Sequence, residues 1–151
     1  MVTFTPIGVV RNDVNEMSKG NYAQAQSRIE LNPELAPGLQ GLADFSHVVV
    51  VFHLDRIPLF DKEKQLLRNP RGMDHLAPVG VFAQRTKFRP NPIGVTPMRL
   101  VSIAGNTLIV MGLDAMDGTP VLDVKPYIPE FDSVEKSKQA DWVPEMLKGY
   151  F

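Results

Sequence analysis

The sequence predicts a mainly all-β fold, either a small antiparallel barrel or a sandwich. Short apolar or alternating stretches recur along the chain, and turn residues separate them about every ten residues. Helical patterns are fewer and weaker. The chain has 151 residues, a length that one domain commonly has. We therefore expect a single domain over residues 1–151.

The strongest strand signals are two residue patterns and two turns. Residues 26–31 alternate polar and apolar side chains, which is typical of a half-buried strand. Residues 47–54 contain four consecutive valines, which is typical of a strand buried on both faces. The turn Ala104-Gly105-Asn106 predicts a hairpin, and Asp117-Gly118 predicts a second tight turn. In chain order, we predict strands at 4–10, 26–31, 47–54, 79–83, 98–103, 107–111 and 121–124.

Two segments carry helical signals. Residues 61–68 predict one or two turns, with Asp61 as the N-cap and Pro70 beyond the end. Residues 133–148 predict a C-terminal helix, which Pro144 would interrupt or restart. Its apolar face would carry Trp142, Met146 and Tyr150, and this face would close the core or cover a partner subunit.

Between the first two predicted strands, residues 13–25 form the one long polar stretch of the chain. A polar stretch of this length without hydrophobic periodicity is typical of a loop. We predict a mobile loop there.

The composition excludes several classes of site. Cysteine is absent, so disulfides, zinc–thiolate sites and thiol nucleophiles are excluded, and an intracellular, cytoplasmic location is expected. The longest apolar run, residues 48–52, is far too short to span a bilayer, and the N-terminus has no signal-peptide pattern. Motifs of P-loop, Rossmann, zincin and serine-hydrolase sites are absent. The spacing of His47, His53 and His75 does not predict a metal site.

Charge is distributed unevenly along a nearly neutral chain. The net charge is −1, which argues against a general nucleic-acid coat. Residues 62–99 carry eight basic and two acidic side chains, a local charge of +6. Residues 100–135 carry one basic and six acidic side chains, a local charge of −5. The basic segment either presents a phosphate-binding face or is neutralised by the acidic segment.

The segment Arg85-Thr86-Lys87-Phe88-Arg89-Pro90-Asn91-Pro92-Ile93-Gly94 is the first candidate site. Its two prolines fix their own φ angles and bias the preceding residues toward extended geometry. Such stiffness holds cationic and amide side chains still around an anionic or planar ligand. The alternative is a solvated connection between two strands.

Acidic side chains around the second turn form another candidate site. Asp114, Asp117 and Asp123 are suited to binding a metal, to acting as a general base, or to accepting hydrogen bonds from ribose hydroxyls and an ammonium group. An aspartate beside a glycine, as Asp117 is, is more often a structural turn residue. Asp123 interrupts an apolar run and needs a partner, which Lys125, on the same face of a strand, would supply.

Several segments together resemble one known family. They are Pro6-Ile7-Gly8-Val9-Val10-Arg11, Gly80-Val81-Phe82-Ala83-Gln84-Arg85, Phe88-Arg89-Pro90-Asn91-Pro92-Ile93-Gly94, Leu113-Asp114, and Asp117-Gly118-Thr119-Pro120-Val121-Leu122-Asp123-Val124-Lys125-Pro126-Tyr127. In this order they resemble the TsaA-like, or TrmO-type, family of S-adenosylmethionine-dependent tRNA methyltransferases. The resemblance covers residues 4–132, the expected core, and leaves 133–151 as a helical tail.

The resemblance implies an antiparallel β-barrel that forms a homodimer and has no membrane segment. It implies S-adenosylmethionine as methyl donor and methylation of N6 of threonylcarbamoyl-adenosine beside the tRNA anticodon. By the same resemblance, the donor would contact His53, Leu54, Asp55, Arg85, Leu113, Asp114, Ala115, Met116 and Asp117. Asn91, Asp123 and Tyr127 would serve catalysis, and Lys87, Phe88, Arg89 and Lys125 would contact the substrate.

This chain departs from the family pattern in two places. Residues 12–25 contain no Pro-Arg-Gln-Pro-Gly-like run, which in the family contributes to the donor site. The sequence also stops one predicted helix after the resemblance ends, as in short single-domain forms. Two alternatives therefore stay open, namely a non-catalytic barrel that binds S-adenosylmethionine or RNA and a methyltransferase with another substrate.

Overall fold

The computed structural model describes residues 1–14 and 22–151. Its strands in chain order are β1 Gly8–Arg11, β2 Gln26–Leu31, β3 His47–His53, β4 Leu67–Arg68, β5 Val79–Gly80, β6 Ile93–Ala104, β7 Thr107–Met111 and β8 Pro120–Pro126. Six of them close a barrel in the order β1-β2-β7-β6-β3-β8, and every neighbouring pair is antiparallel. The all-β prediction is confirmed, and the barrel is the correct form of the two.

The apolar side chains of the barrel point inward from alternate positions of each strand. In β3, Val48, Val50 and Phe52 are buried, whereas Val49 and Val51 are half-buried. The prediction of burial on both faces is therefore wrong for β3, because a barrel is a single sheet whose outer face has no second sheet against it. The interior is filled by Val10, Ile29, Val48, Val50, Phe52, Met98, Leu108, Val110 and Val121.

Between β3 and β6, residues 54–92 leave the barrel and form an insertion. The short strands β4 and β5 pair within it, and helix α1, Lys62–Gln65, precedes them. The predicted N-cap is confirmed, since the Asp61 carboxylate accepts a hydrogen bond from the Glu63 amide at 3.0 Å. The buried side chain of Gln84 donates to the carbonyls of Arg68 and Val79, both at 3.0 Å, and ties the insertion together.

The predicted helix over residues 133–148 is wrong. Within that range the structure has only the single-turn helix α3, Val143–Met146, and another single-turn helix, α2 Pro129–Asp132, ends just before it. Residues 133–141 are all exposed, so no apolar face stabilises a helix that is too short to persist alone. Pro144 lies in the first turn of α3, where its absent amide hydrogen costs no helical hydrogen bond.

Other strand and loop boundaries differ from the predicted ones. The first strand begins at Gly8 rather than residue 4, and β6 begins at Ile93, five residues before its predicted start. Residues 15–21 of the predicted mobile loop lie outside the described residues, and Tyr22–Gln24 form a 3₁₀ turn. None of the helices in the described ranges is long and apolar enough to cross a membrane.

Gly94 ends the segment 85–94, which we call the proline-rich segment, and lies directly against the core. Gly94 pairs with Phe52 across β6 and β3. A Cβ atom at position 94 would lie 2.3 Å from Cε2 of the Phe52 ring. The ring is buried, so it has little room to move away.

We predict that Gly94→Ala destabilises the protein by about 1–3 kcal/mol, because the added methyl group overpacks the barrel interior. Gly38→Ala is the matched control, since a Cβ at position 38 meets nothing within 4 Å. Urea unfolding of both variants measures the difference. Equal stability of Gly94→Ala and the wild type would show that the Phe52 ring relaxes without cost.

Candidate functional site

One end of the barrel gathers most of the residues that the sequence marks as candidates. There β3 ends at His53, β6 begins at Ile93 opposite it, and β8 begins at Pro120, next to Val121, which pairs with Phe52. We call this rim the His53 end. The loop from β7 to β8, residues 112–119, lies across it and carries the first two candidate aspartates.

Both carboxylate oxygens of Asp114 accept hydrogen bonds at this end. Its Oδ1 accepts a hydrogen bond from Thr96 Oγ1 at 2.6 Å, and its Oδ2 accepts one from the Tyr150 hydroxyl. Leu113 and Ala115, on either side, are fully buried and fix the loop. A carboxylate has about four lone-pair sites, so Asp114 retains acceptor capacity for a ligand.

Asp117 has structural partners just after β1 and in the insertion. Its Oδ1 accepts from the backbone amide of Asn12 at 3.0 Å, and its backbone carbonyl accepts from the Arg56 guanidinium. Gly118 has φ of 84°, the left-handed geometry that favours glycine, and its amide donates to the Val10 carbonyl at 2.8 Å. These contacts match the structural alternative for Asp117.

Asn12 is a residue that the sequence reasoning missed. Its side-chain amide donates to Ser27 Oγ at 2.9 Å and to the Ala115 carbonyl at 2.8 Å. Its side-chain oxygen accepts from the Val14 amide at 2.9 Å. Asn12 thus links β1 and β2 to the loop that carries Asp114. The sequence gives no signal for this role, because Asn12 is separated from Ala115 by 103 positions.

The remaining candidates for donor contact lie nearby. His53 and Asp55 are exposed at the end of β3, and the amide of Leu54 donates to the Pro92 carbonyl at 2.8 Å. The Arg85 guanidinium donates to the Val95 carbonyl on β6. Since guanidinium has five N–H donors, Arg85 can bind an anion while it keeps this contact.

The proline-rich segment combines cations with aromatic rings. The guanidinium of Arg68 lies 4.3 Å from the centroid of the Phe88 ring, and Lys87 Nζ lies 5.3 Å from it. Arg89 Nη1 donates to the carbonyls of Val81 at 3.1 Å and Gln84 at 2.7 Å. Arg89 therefore braces the segment, while Lys87 and Phe88 form its basic and aromatic surface.

Asp123 and Lys125 lie on the outer face of β8, because Val124 between them pairs with the inward-facing Val50. The predicted partnership is confirmed, since Lys125 Nζ lies 2.7 Å from Asp123 Oδ2. This hydrogen bond and the negative charge of Asp123 raise the pKa of Lys125.

Tyr127 lies toward the opposite end of the barrel. Its amide donates to the His47 carbonyl at 3.0 Å, and the two rings lie 6.2 Å apart. His47 begins β3 and His53 ends it, so about 20 Å separates their backbone positions at about 3.3 Å per residue. The fold therefore separates Tyr127 from the cluster around Asp114. Asn91 is exposed between the two prolines, and Asp123 pairs with Val51, closer to the His53 end.

Tyr150 was not predicted to touch this site. Its hydroxyl donates to Asp114, and its ring lies 5.1 Å from that of Tyr22. Burial is the main reason that the pKa of Tyr150 is raised, and the charge of Asp114 and the hydrogen bond to it raise it further. The hydroxyl therefore stays protonated, and able to donate, at pH values up to and above about 10, the ordinary pKa of tyrosine.

The two oppositely charged segments do not pair directly. Both lie wholly within the described residues, and no ion pair within 4.0 Å joins 62–99 to 100–135. The acidic partner of Lys64 is Asp61, and that of Lys125 is Asp123. Among residues 1–14 and 22–151, no group of three or more His, Asp or Glu side chains is arranged to hold a metal.

Comparisons with known proteins agree with the fold and the motifs. Residues 13–133 match the family model described as the tRNA-methyltransferase O N-terminal domain. A probable S-adenosyl-L-methionine-binding protein of Pyrococcus abyssi is 36% identical, over 95% of this chain and 77% of its own length. The human tRNA (adenine(37)-N6)-methyltransferase is 41% identical, over 72% of this chain and 23% of its own length.

Solved structures extend the comparison to three dimensions. A crystal structure of TrmO from Pseudomonas aeruginosa superposes with a TM-score of 0.73 at 30% identity, over 93% of this chain. The match covers 62% of that chain. This chain therefore spans about three fifths of the solved relative and about a quarter of the human one.

We predict that Tyr150 does not ionise near pH 10, the ordinary value for tyrosine. Because its folded-state pKa is raised, its contribution to stability is complete below about pH 10 and is lost as pH rises above that value. Alkaline titration at 295 nm, wild type minus Tyr150→Phe, measures this ionisation. A difference curve with a midpoint near 10 would contradict the buried hydrogen bond to Asp114.

Proposed function

The chain belongs to the tRNA-methyltransferase O N-terminal domain family, and from that premise we propose that it transfers a methyl group from S-adenosylmethionine to N6 of an adenosine in tRNA. We propose more narrowly that the adenosine is the threonylcarbamoyl-modified one beside the anticodon. The observation that carries the proposal is the convergence of Asp114, Arg85 and the end of β3 on one rim of the barrel.

The donor fits this rim chemically. S-adenosylmethionine supplies a methyl group on a sulfonium, together with ammonium, ribose and carboxylate groups that proteins can bind. Asp114 can accept from the ammonium or from ribose hydroxyls, because Thr96 and Tyr150 leave part of its acceptor capacity free. Arg85 can pair with the carboxylate, since charge-assisted pairs of this kind are the stronger hydrogen bonds.

The target adenine is proposed to approach along the segment 85–94 and the outer face of β8. Phe88 offers a ring for stacking, and Lys87 beside it offers a charge for phosphate. The target nitrogen must be held in line with the methyl group, and such positioning provides much of the rate. Asn91 and Lys125 are exposed beside this approach and can donate to the base or to phosphate.

The two candidate bases differ in how well they suit this task. Asp123 lies near the His53 end, and one oxygen of its carboxylate is already engaged by the Lys125 ammonium, 2.7 Å away. Tyr127 would contact the reacting nitrogen only if the base reached toward the opposite end of the barrel. Positioning of the nitrogen, with Asp123 as the nearer proton acceptor, is therefore the mechanism that we propose.

A non-catalytic barrel that binds S-adenosylmethionine is the second candidate. The relatives from Pyrococcus abyssi and Methanothermobacter thermautotrophicus, 36% and 37% identical, are named for binding alone. Binding without transfer needs the rim around Asp114 but not the surface around Phe88. The two functions therefore differ in their need for RNA.

The direct test is transfer of a labelled methyl group. The protein is incubated with S-adenosylmethionine labelled in its methyl group and total tRNA, and the tRNA is digested to nucleosides. Label in the N6-methylated threonylcarbamoyl-adenosine supports the narrow proposal, and label in another N6-methylated adenosine supports only the broad one. Label in any other nucleoside would overturn both and indicate a methyltransferase with another substrate. Donor binding without labelled RNA would favour the non-catalytic barrel.

We predict that Arg85→Ala weakens binding of S-adenosylmethionine by about 1.5–3 kcal/mol, the size of a hydrogen bond to a charged group. Arg99→Ala is the matched control, because Arg99 pairs with His47 at the opposite end of β3. Calorimetric titration of both variants measures the loss. Equal affinities in the two variants would show that Arg85 does not contact the donor.

We predict that Lys87→Ala lowers the salt dependence of tRNA affinity by about 0.7–0.9 log units per log unit of salt, the value for one phosphate contact. Donor affinity should not change. Lys138→Ala, at an exposed position outside the basic segment, is the control. Arg89→Ala is expected to weaken tRNA binding more than Lys87→Ala does, because Arg89 also holds the carbonyls of Val81 and Gln84. An unchanged slope in Lys87→Ala would place the RNA elsewhere.

We also propose a homodimer, as the resemblance implies. The helical face that suggested a subunit contact is absent, and Tyr150 is engaged within its own chain. The outer face of β6 is the better candidate, since Ile93, Val95 and Val101 are exposed there. Light scattering at tens of micromolar protein should give twice the monomer mass of 16.8 kDa. A monomer at that concentration would refute the dimer.

A further inference from the structure

The last ten residues of the chain return to the His53 end but are not part of the barrel strands. Residues 133–141 are all exposed, so they do not anchor the residues after them. Residues 142–151, which we call the C-terminal strap, then turn back onto the barrel. Gly149 has φ of 74°, a left-handed geometry that places Tyr150 against the rim.

A small number of contacts hold the C-terminal strap in place. Arg71 Nη1 donates to the carbonyls of Met146 at 3.1 Å and Lys148 at 3.0 Å. The strap's Glu145 lies 2.7 Å from the imidazole of His75. The amide of Tyr22 donates to the Tyr150 carbonyl at 3.1 Å. Apart from the last, these partners belong to the insertion, not to the barrel.

The end of the C-terminal strap contacts Asp114, the acidic side chain at the centre of the proposed donor site. The Tyr150 hydroxyl and Thr96 Oγ1 each donate to one oxygen of Asp114, so together they fix the orientation of its carboxylate. Thr96 is part of β6 and so belongs to the barrel, whereas Tyr150 reaches Asp114 only while the strap is docked. No donor other than these two is within hydrogen-bond distance of the carboxylate among the described residues.

We propose that Tyr150 is a positioning residue for the donor site, and that docking of the C-terminal strap sets the affinity for S-adenosylmethionine through the Asp114 carboxylate. The inference rests on the proposed function, because it takes the His53 end as the donor site. Without the strap, Asp114 keeps only its Thr96 contact and its carboxylate can rotate about it. With the strap docked, the carboxylate is presented in one orientation.

The strap and the donor are therefore thermodynamically coupled. If docking raises donor affinity by some factor, donor binding must raise strap docking by the same factor. The chain carries its own probe of docking, because its single tryptophan, Trp142, begins the strap and is half-buried. Acrylamide quenching of Trp142 fluorescence measures how far the strap is docked.

Three variants separate the steps. Tyr150→Phe removes the hydroxyl but keeps the ring against Tyr22. Arg71→Gln loosens the strap without touching Asp114, since the contacts of the Arg71 guanidinium are with strap carbonyls and the Tyr150 ring. Phe131→Ala is the control, because this aromatic side chain lies in α2, outside the strap, and is 82% exposed.

Binding is measured by calorimetry with S-adenosylhomocysteine, the stable product of methyl transfer. We expect Tyr150→Phe and Arg71→Gln each to weaken binding about fivefold or more, the lower range of typical coupling between sites. Phe131→Ala should bind as the wild type does. S-adenosylhomocysteine should protect Trp142 from acrylamide in the wild type, and this protection should fall in both strap variants.

Unchanged affinity in Tyr150→Phe, with normal binding by the wild type, would overturn the inference and leave the proposed function intact. Tighter binding in Tyr150→Phe would also overturn it, because Tyr150 would then compete with the donor. A wild type that binds no S-adenosylhomocysteine would overturn the proposed function together with the inference. Thermal unfolding of each variant checks that the barrel is folded, so a loss of affinity is not a loss of protein.

Discussion

Closure of the six-stranded sheet determines where chemistry can occur in this protein. The barrel interior is filled by apolar side chains, so it has no room for a ligand. Polar side chains must therefore lie at a rim or on the outer face. Asp114 and Arg85 lie at or beside the His53 end, whereas Asp123 and Lys125 lie on the outer face of β8. The donor and the target base would meet where these two regions adjoin.

Rigidity at this rim comes from contacts between segments that are distant in sequence. Phe52 packs where Gly94 has no side chain, which brings the end of the proline-rich segment against β3. Asn12 connects the first two strands to the Asp114 loop. The insertion, residues 54–92, supplies both the basic surface and the arginine that holds the C-terminal strap. A site built in this way is preorganised, which favours in-line methyl transfer.

Local patterns predicted local structure well. The bounds of β2 were correct because residues 26–31 alternate strictly, and the Asp61 cap was correct because capping depends on neighbouring residues. The start of β6 was missed because it contains Pro97. This residue is tolerated because β7 ends opposite Arg99, so no strand of the described residues pairs with β6 on that side at Pro97. The C-terminal helix was wrong because tertiary contacts outweighed its weak periodicity.

The candidate site residues show the same contrast between local patterns, which the sequence predicts, and long-range contacts, which it does not. The motifs predicted that Asp114 and Arg85 matter, but not that Tyr150 and Thr96 hold Asp114, since those contacts depend on the closed barrel.

The most direct test of a donor site at the His53 end is ultraviolet cross-linking of labelled S-adenosylmethionine, followed by mapping of the labelled peptides. We expect label in peptides from residues 53–55, 85 or 113–117. Label confined to peptides that contain His47 or Tyr127, at the opposite end, would contradict this placement of the donor.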